Sequence, residues 1–149
     1  MEPTDISPDF LREFMEQAIP FNRFLGIQVA EVGPGRATLA LPFRPEFIGD
    51  PLRPALHGGV LTTLADSCGG LAVFSRSRVG DRVSTIDLRV DFLRPGRPLA
   101  IVAEARVVRL GNRVGVVDIT LFHEGERESP IATGKGVYNV KRMNLDGGF

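Results

Sequence analysis

Hydrophobic positions along the chain follow three patterns. From Ser7 to Ala18, Phe10, Leu11, Phe14 and Ala18 recur at helical spacing. This predicts a short helix over 7–19, with Ser7 as N-cap, Pro8 in the first helical position and Pro20 ending it. Phe21 and Phe24 add apolar anchors before Gly26. Strict alternation follows over 27–32 and 37–43, either side of a Gly33-Pro34-Gly35 turn, and reads as two strands. Residues 44–56 have no clear period and carry three prolines and one glycine, which reads as a loop long enough to cover a site. A long helix is predicted from Gly59 to Arg78. Four strands come after it, over 82–94, 99–109, 113–123 and 131–141, and the tail Asp146–Phe149 reads as disordered.

Short turns between the last four strands make them antiparallel neighbours, and no second long helix exists to provide parallel crossovers. One apolar helix and one antiparallel sheet must therefore bury each other. The expectation is an α+β domain spanning residues 1–149, with its core over about 21–141 and the sheet curled round the central helix.

Composition narrows the function classes. The 149 residues hold 18 Lys+Arg against 18 Asp+Glu, so no net field draws the chain to nucleic acid or to an anionic membrane. A single cysteine, Cys68, excludes an intramolecular disulfide. Two distant histidines, His57 and His123, argue against a metal site. The Met-Glu-Pro-Thr-Asp start has neither a basic nor an apolar run, and no stretch is long enough for a membrane span, so a cytoplasmic protein without a cofactor is expected.

The central helix carries the candidate chemistry. Stepping about 100° per residue from Leu61, the residues Leu64, Ala65, Cys68, Leu71 and Ala72 share one side. The other side holds Gly59, Thr62, Thr63, Asp66, Gly70 and Val73, and Asp66 is the only charge between Gly59 and Phe74. A face so poor in charge is expected to be covered by a ligand or a second subunit. A lone carboxylate there needs a partner or a function, and fixing an interface is the plain alternative to catalysis. At the helix start, His57-Gly58-Gly59 offers free backbone N–H groups to an anion, although glycines also simply permit a sharp exit from a loop. In the next strand, Ser84 shares parity with Ile86, Leu88, Val90 and Phe92, so its hydroxyl should face the helix unless a bulge intervenes.

The run His57-Gly58-Gly59-Val60-Leu61-Thr62-Thr63-Leu64-Ala65-Asp66-Ser67-Cys68-Gly69-Gly70 resembles the signature of hotdog-fold acyl-CoA thioesterases of the phenylacetyl-CoA (PaaI-like) group. The shared pattern is His-Gly-Gly at the helix start and an acid nine positions after the histidine. The resemblance implies that Asp66 is general base or nucleophile. It also implies that the Gly58 N–H polarises the thioester carbonyl, that His57 supports that loop, and that Ser84 orients the attacking water. It further implies a site shared between two subunits, hence at least a dimer and often a tetramer. Relatives often carry asparagine six residues before the histidine. Here Pro51 stands there beside Asp50, so either Asp50 substitutes or the amide is dispensable.

Gly59, Thr62 and Asp50 are candidate substrate contacts. The arginines at the sheet turns, Arg94, Arg97, Arg109 and Arg113, are candidates for the coenzyme A phosphates, with ordinary solvated turn arginines as the alternative. The acyl group is expected near Phe47, Ile48, Leu61 and Val73. Two other functions stay open. A non-catalytic acyl-CoA-binding module would usually carry a DNA-binding segment, and none is visible. A hydratase or dehydratase needs a His-Phe-Pro-Gly-type loop, whereas His57 is followed by Gly-Gly.

Overall fold

The computed structural model describes residues 5–144; the tail 146–149 lies outside the described residues. Ser7 caps helix α1 (Pro8–Glu13) by accepting the Phe10 N–H at 3.2 Å, with Pro8 in the first turn. The helix predicted over 7–19 is found over 8–18, and a second helix that was not predicted follows it. A π-helical turn (Phe14–Ala18) leads to an extended Ile19, and Pro20 then opens helix α2 (Pro20–Leu25) rather than closing the first. A proline lacks only an N–H that the first helical turn would leave unpaired, so it starts a helix as readily as it stops one. Gly26, at φ +81°, ends α2 in the left-handed conformation that favours glycine.

Strands β1 (Gln28–Gly33) and β2 (Arg36–Leu41) form the expected hairpin. Within the long loop lie a single 3-10 turn (Pro45–Phe47) and a small hairpin of β3 (Ile48–Asp50) with β4 (Ala55–Leu56). Helix α3 spans Gly58–Phe74, four residues shorter at its C-terminal end than the periodicity suggests. Ser75 closes it, its hydroxyl donating to the Ala72 carbonyl at 2.7 Å. Strands β5 (Arg82–Phe92), β6 (Ile101–Leu110), β7 (Val114–Phe122) and β8 (Ala132–Lys141) complete a six-stranded antiparallel sheet, ordered β1-β2-β6-β7-β8-β5. β6 starts two residues late, and Leu99 is exposed.

The sheet wraps α3 in the hotdog arrangement. Alternate residues of the middle strands (Leu39, Ala103, Val117, Ile119, Leu121 and Val140) meet Leu64, Ala65, Cys68, Leu71 and Ala72 of the helix, and all are essentially inaccessible. Alanines at 37, 103 and 105 keep the helix close to the strands. The Cys68 thiol donates to the Ala37 and Ala103 carbonyls at 3.4 Å each, and burial pushes its ionisation well up, so it is an inert core residue. Val73 also faces the sheet, fully buried against Gly115 of β7, which corrects its expected place on the opposite face.

The two sheet edges differ. On β1, Val29 donates its N–H to Glu16 at 2.8 Å and accepts from Arg12, so side chains of the N-terminal layer cover that edge. On the other edge, β5 packs mainly on β8 and α3 among the described residues, and Ile86 is 58% exposed. Among the described residues, no helix is long and apolar enough to cross a membrane.

Asp81 joins the α3–β5 turn to the end of the chain. Its carboxylate accepts from the N–H groups of Arg78 (2.9 Å) and Met143 (3.1 Å) and from Arg142 Nη1 (2.7 Å). Burial would raise its pKa, but these hydrogen bonds outweigh it and hold the carboxyl below the usual carboxylate range. The stability it contributes is thus complete above the ordinary aspartate value of about 3.9 and is lost as pH falls through the lowered folded-state value. Asp81→Asn should cost about 1–3 kcal/mol at neutral pH. Melting temperatures measured between about pH 5 and pH 2 should fall more steeply in the parent than in the variant.

Candidate active site

Helix α3 opens on two glycines because its first turn is crowded by rings. His57 is the N-cap, its Nδ1 accepting the Gly59 N–H at 2.8 Å, and a Cβ on Gly59 would sit 2.9 Å from that nitrogen. The Val60 N–H turns back to the His57 carbonyl at 3.0 Å. The Gly58 N–H is left with no acceptor among the described residues, at the positive end of a 17-residue helix. A Cβ on Gly58 would lie 3.3 Å from the Phe92 ring. The amide opens beside a cavity of about 440 Å³ lined by Leu61, Phe92, Leu93, Arg94 and Gly96. Gly59 therefore does not offer the free N–H expected of it: the cap histidine holds that group.

Asp66 sits half-buried two turns further along α3. Its Oδ1 accepts from Thr85 Oγ1 at 2.7 Å, and the Tyr138 hydroxyl reaches the Asp66 backbone carbonyl at 2.9 Å and Oδ1 at 3.4 Å. A cavity of about 430 Å³ opens beside it, with Phe14, Met15, Ile19, Phe74 and Val83 in its largely apolar wall. Ser84 lines this cavity too, but Thr85 is the residue that touches the acid. The register explains why. Val83 and Thr85 pair with the inward-facing Val140 and Tyr138, a bulge falls between Thr85 and Asp87, and Leu88 then pairs with Gly136. One extra residue reverses strand parity, so odd positions face the helix before the bulge and even positions after it. The expectation that Ser84 points at the helix is corrected on that ground.

The remaining candidates are dispersed. Thr62 donates to the Gly58 carbonyl at 2.8 Å, folding its hydroxyl back on the helix. Asp50 Oδ1 accepts the N–H groups of Leu52 (3.0 Å) and Arg53 (3.2 Å), so it caps its own turn instead of replacing a substrate-facing amide. Arg94 lines the cavity at the helix start and donates to the Pro130 carbonyl at 3.0 Å, while Arg97 pairs with Glu126. Arg109 and Arg113 are exposed where β6 turns into β7. That turn lies beyond the C-terminal end of α3, as the Val73–Gly115 contact shows, so within one chain it is about 24 Å from Gly58 along the helix axis. Of the four residues expected around an acyl group, only Leu61 lines a cavity described here; Val73 is core, and Phe47 is buried with Arg44 over its ring.

Sequence reasoning missed Thr85 and Tyr138. The bulge leaves no sign in the alternation. Tyr138 did leave one: a large ring in a glycine-rich strand (Gly134, Gly136), matched by Gly69-Gly70 on the helix. Among the described residues, no group of three or more His, Cys, Asp or Glu side chains is placed to hold a metal.

Known proteins resemble this chain over most of its length. Residues 54–130 match the family model of the Thioesterase superfamily. A medium/long-chain acyl-CoA thioesterase, YigI, of Salmonella typhimurium is 35% identical over 135 residues, which is 82% of this chain and 86% of that protein. The crystal structure of a thioesterase family protein from Silicibacter pomeroyi superposes with a TM-score of 0.78 at 28% identity, covering 87% of this chain and 95% of the other. A Haemophilus influenzae thioesterase superposes at 0.79 with 24% identity, covering 92% of both chains, and at that identity supports the fold alone.

Removing the histidine cap should loosen the helix start. His57→Ala is expected to lower unfolding stability by about 1 kcal/mol, and His57→Asn, which restores a capping oxygen, should recover most of it. Urea denaturation of the three proteins measures both.

Proposed function

The chain belongs to the Thioesterase superfamily, and from that premise we propose that it hydrolyses the thioester of a medium- or long-chain acyl-coenzyme A at a site shared by two subunits. The observation that carries this reading is the pairing of a tethered carboxylate, Asp66, with an open amide, Gly58, on one helix. They lie eight residues apart, about 12 Å along the axis, too far for one thioester group to touch both within a single chain.

The β5 edge, which pairs with no further strand among the described residues, supports the two-chain arrangement. Two copies joined antiparallel along β5 bring the Phe92 end of one strand, with Gly58 beside it, against the Arg82–Thr85 end of the other, with Asp66 beside it. The same pairing carries the partner's Arg109–Arg113 turn toward this Gly58, where the phosphates of coenzyme A need cations. The charge-poor outer side of α3 then faces the seam.

In that site the carbonyl oxygen docks on the Gly58 N–H. Water attacks the carbonyl carbon while Asp66 takes its proton, and the oxyanion of the tetrahedral intermediate is held by the amide and the helix dipole. One such donor is typically worth about 3–4 kcal/mol. Collapse expels the coenzyme A thiolate, which takes up a proton and leaves a free carboxylic acid. Direct attack by Asp66, giving an anhydride that water opens, satisfies the same geometry. His57 fixes the loop that presents Gly58, and Thr85, rather than the Ser84 that resemblance expected to orient the water, is the hydroxyl on the acid. The apolar cavity beside Asp66, with Phe14, Ile19 and Phe74 in its wall, suits an aliphatic tail, in keeping with the name of the Salmonella typhimurium relative.

The test is thiol release from saturated and aromatic acyl-CoAs by the purified full chain. Asp66→Asn should lower turnover at least about 100-fold with acyl-CoA binding retained. Thr85→Val should cost about tenfold and Ser84→Ala much less. Retained turnover in Asp66→Asn overturns the assignment of the acid; binding without cleavage by the parent favours a non-catalytic binding module.

A further inference from the structure

Tyr138 is among the most buried side chains of the protein, at 1% exposure, and its ring occupies a slot made by glycines on both sides. A Cβ on Gly69 of α3 would run into the Tyr138 hydroxyl, and one on Gly136 of β8 would sit 2.5 Å from ring carbon Cε2. Gly70 is in ordinary contact with the ring at 3.5 Å. Two positions, Gly69 and Gly136, thus give up side chains so that one phenol can lie under the middle of the helix with its hydroxyl at Asp66. The hydroxyl sits between the Asp66 carbonyl, to which it donates at 2.9 Å, and the Gly70 N–H four residues on, so it is built into the helix at the turn that carries the acid.

We propose that Tyr138 is a positioning residue which, together with Thr85, ties down Oδ1 of Asp66 and leaves Oδ2 as the oxygen that meets water or the thioester. This rests on the hydrolase reading above. Thr85 Oγ1 donates to Oδ1 at 2.7 Å and Tyr138 reaches the same atom at 3.4 Å, while Oδ2 accepts no hydrogen bond from the described residues. The stronger bond, 2.9 Å to the Asp66 carbonyl, anchors the phenol to the backbone that carries the acid. Burial and the neighbouring Asp66 charge push the phenol's ionisation up, outweighing the Gly70 N–H, so the hydroxyl remains a donor wherever the enzyme works. A carboxylate on an otherwise open helix face samples several rotamers. Thr85 on Oδ1, with the single phenol proton shared between the Asp66 carbonyl and that oxygen, selects the rotamer that presents the other oxygen to the seam between subunits.

Kinetics with lauroyl-CoA and NMR of the Asp66 side-chain carboxyl carbon, assigned by its loss in Asp66→Asn, test this together. Tyr138→Phe keeps the ring, so its melting temperature should stay within a few degrees of the parent. Its kcat should fall about tenfold with KM within about twofold, and the Asp66 carboxyl resonance should move, as it should in Thr85→Val. Placed in the Asp66→Asn background, Tyr138→Phe should lower the residual rate no further. An unchanged kcat in Tyr138→Phe, with Asp66→Asn inactive, overturns the positioning role and leaves the hydrolase reading standing; so does an equal fall in both backgrounds. A parent that cleaves no acyl-CoA overturns the hydrolase reading instead. The resonance then decides the remainder: unmoved in Tyr138→Phe it refutes the tether, and displaced it sustains it.

Discussion

Helix α3 carries almost no charge of its own, and this constrains the rest of the molecule. Seventeen residues carry one charged side chain, and on the side facing the sheet Leu64, Ala65, Cys68, Leu71 and Ala72 are essentially inaccessible. Such a helix cannot stand in water; it has to be wrapped. Six antiparallel strands do the wrapping, with small residues on β2 and β6 allowing close approach. What stays uncovered is the first-turn amide of Gly58, at the rim of the wrap, and the outer side of the middle turns, where Asp66 is half-buried.

Much of the architecture is legible in the residue pattern because burial acts on periodicity. The alternation of β2, β6 and β7 meets a single apolar face, so their inward residues can be named from the sequence. Where a device interrupts periodicity, legibility stops. A single bulged residue in β5 exchanges Ser84 for Thr85 at the acid, and Pro20, read as a stop, starts a helix because its missing N–H is harmless in a first turn. Val73 was misplaced because a helical wheel assigns faces by angle alone, whereas the curled sheet reaches further round the C-terminal end of α3 through Gly115.

The site was legible in part for a related reason. An isolated carboxylate on an uncharged face and paired glycines before a helix are local signals, readable without knowing the fold. Tyr138 and Thr85 contribute through pairing across the sheet, 72 and 19 residues away from the acid. Asp50 shows the reverse error: a carboxylate near the site in sequence is consumed by the turn that it helps to build.

The unequal sheet edges have a consequence for assembly. Arg12 and Glu16 occupy the outward backbone groups of Val29, so the β1 side gives an incoming strand no template there, while the β5 side does. Strand addition is open along the β5 flank and obstructed at Val29 on the other. In the two-chain arrangement proposed above the ladder would close on itself, with Arg12 and Glu16 screening Val29 at the far flank of each copy.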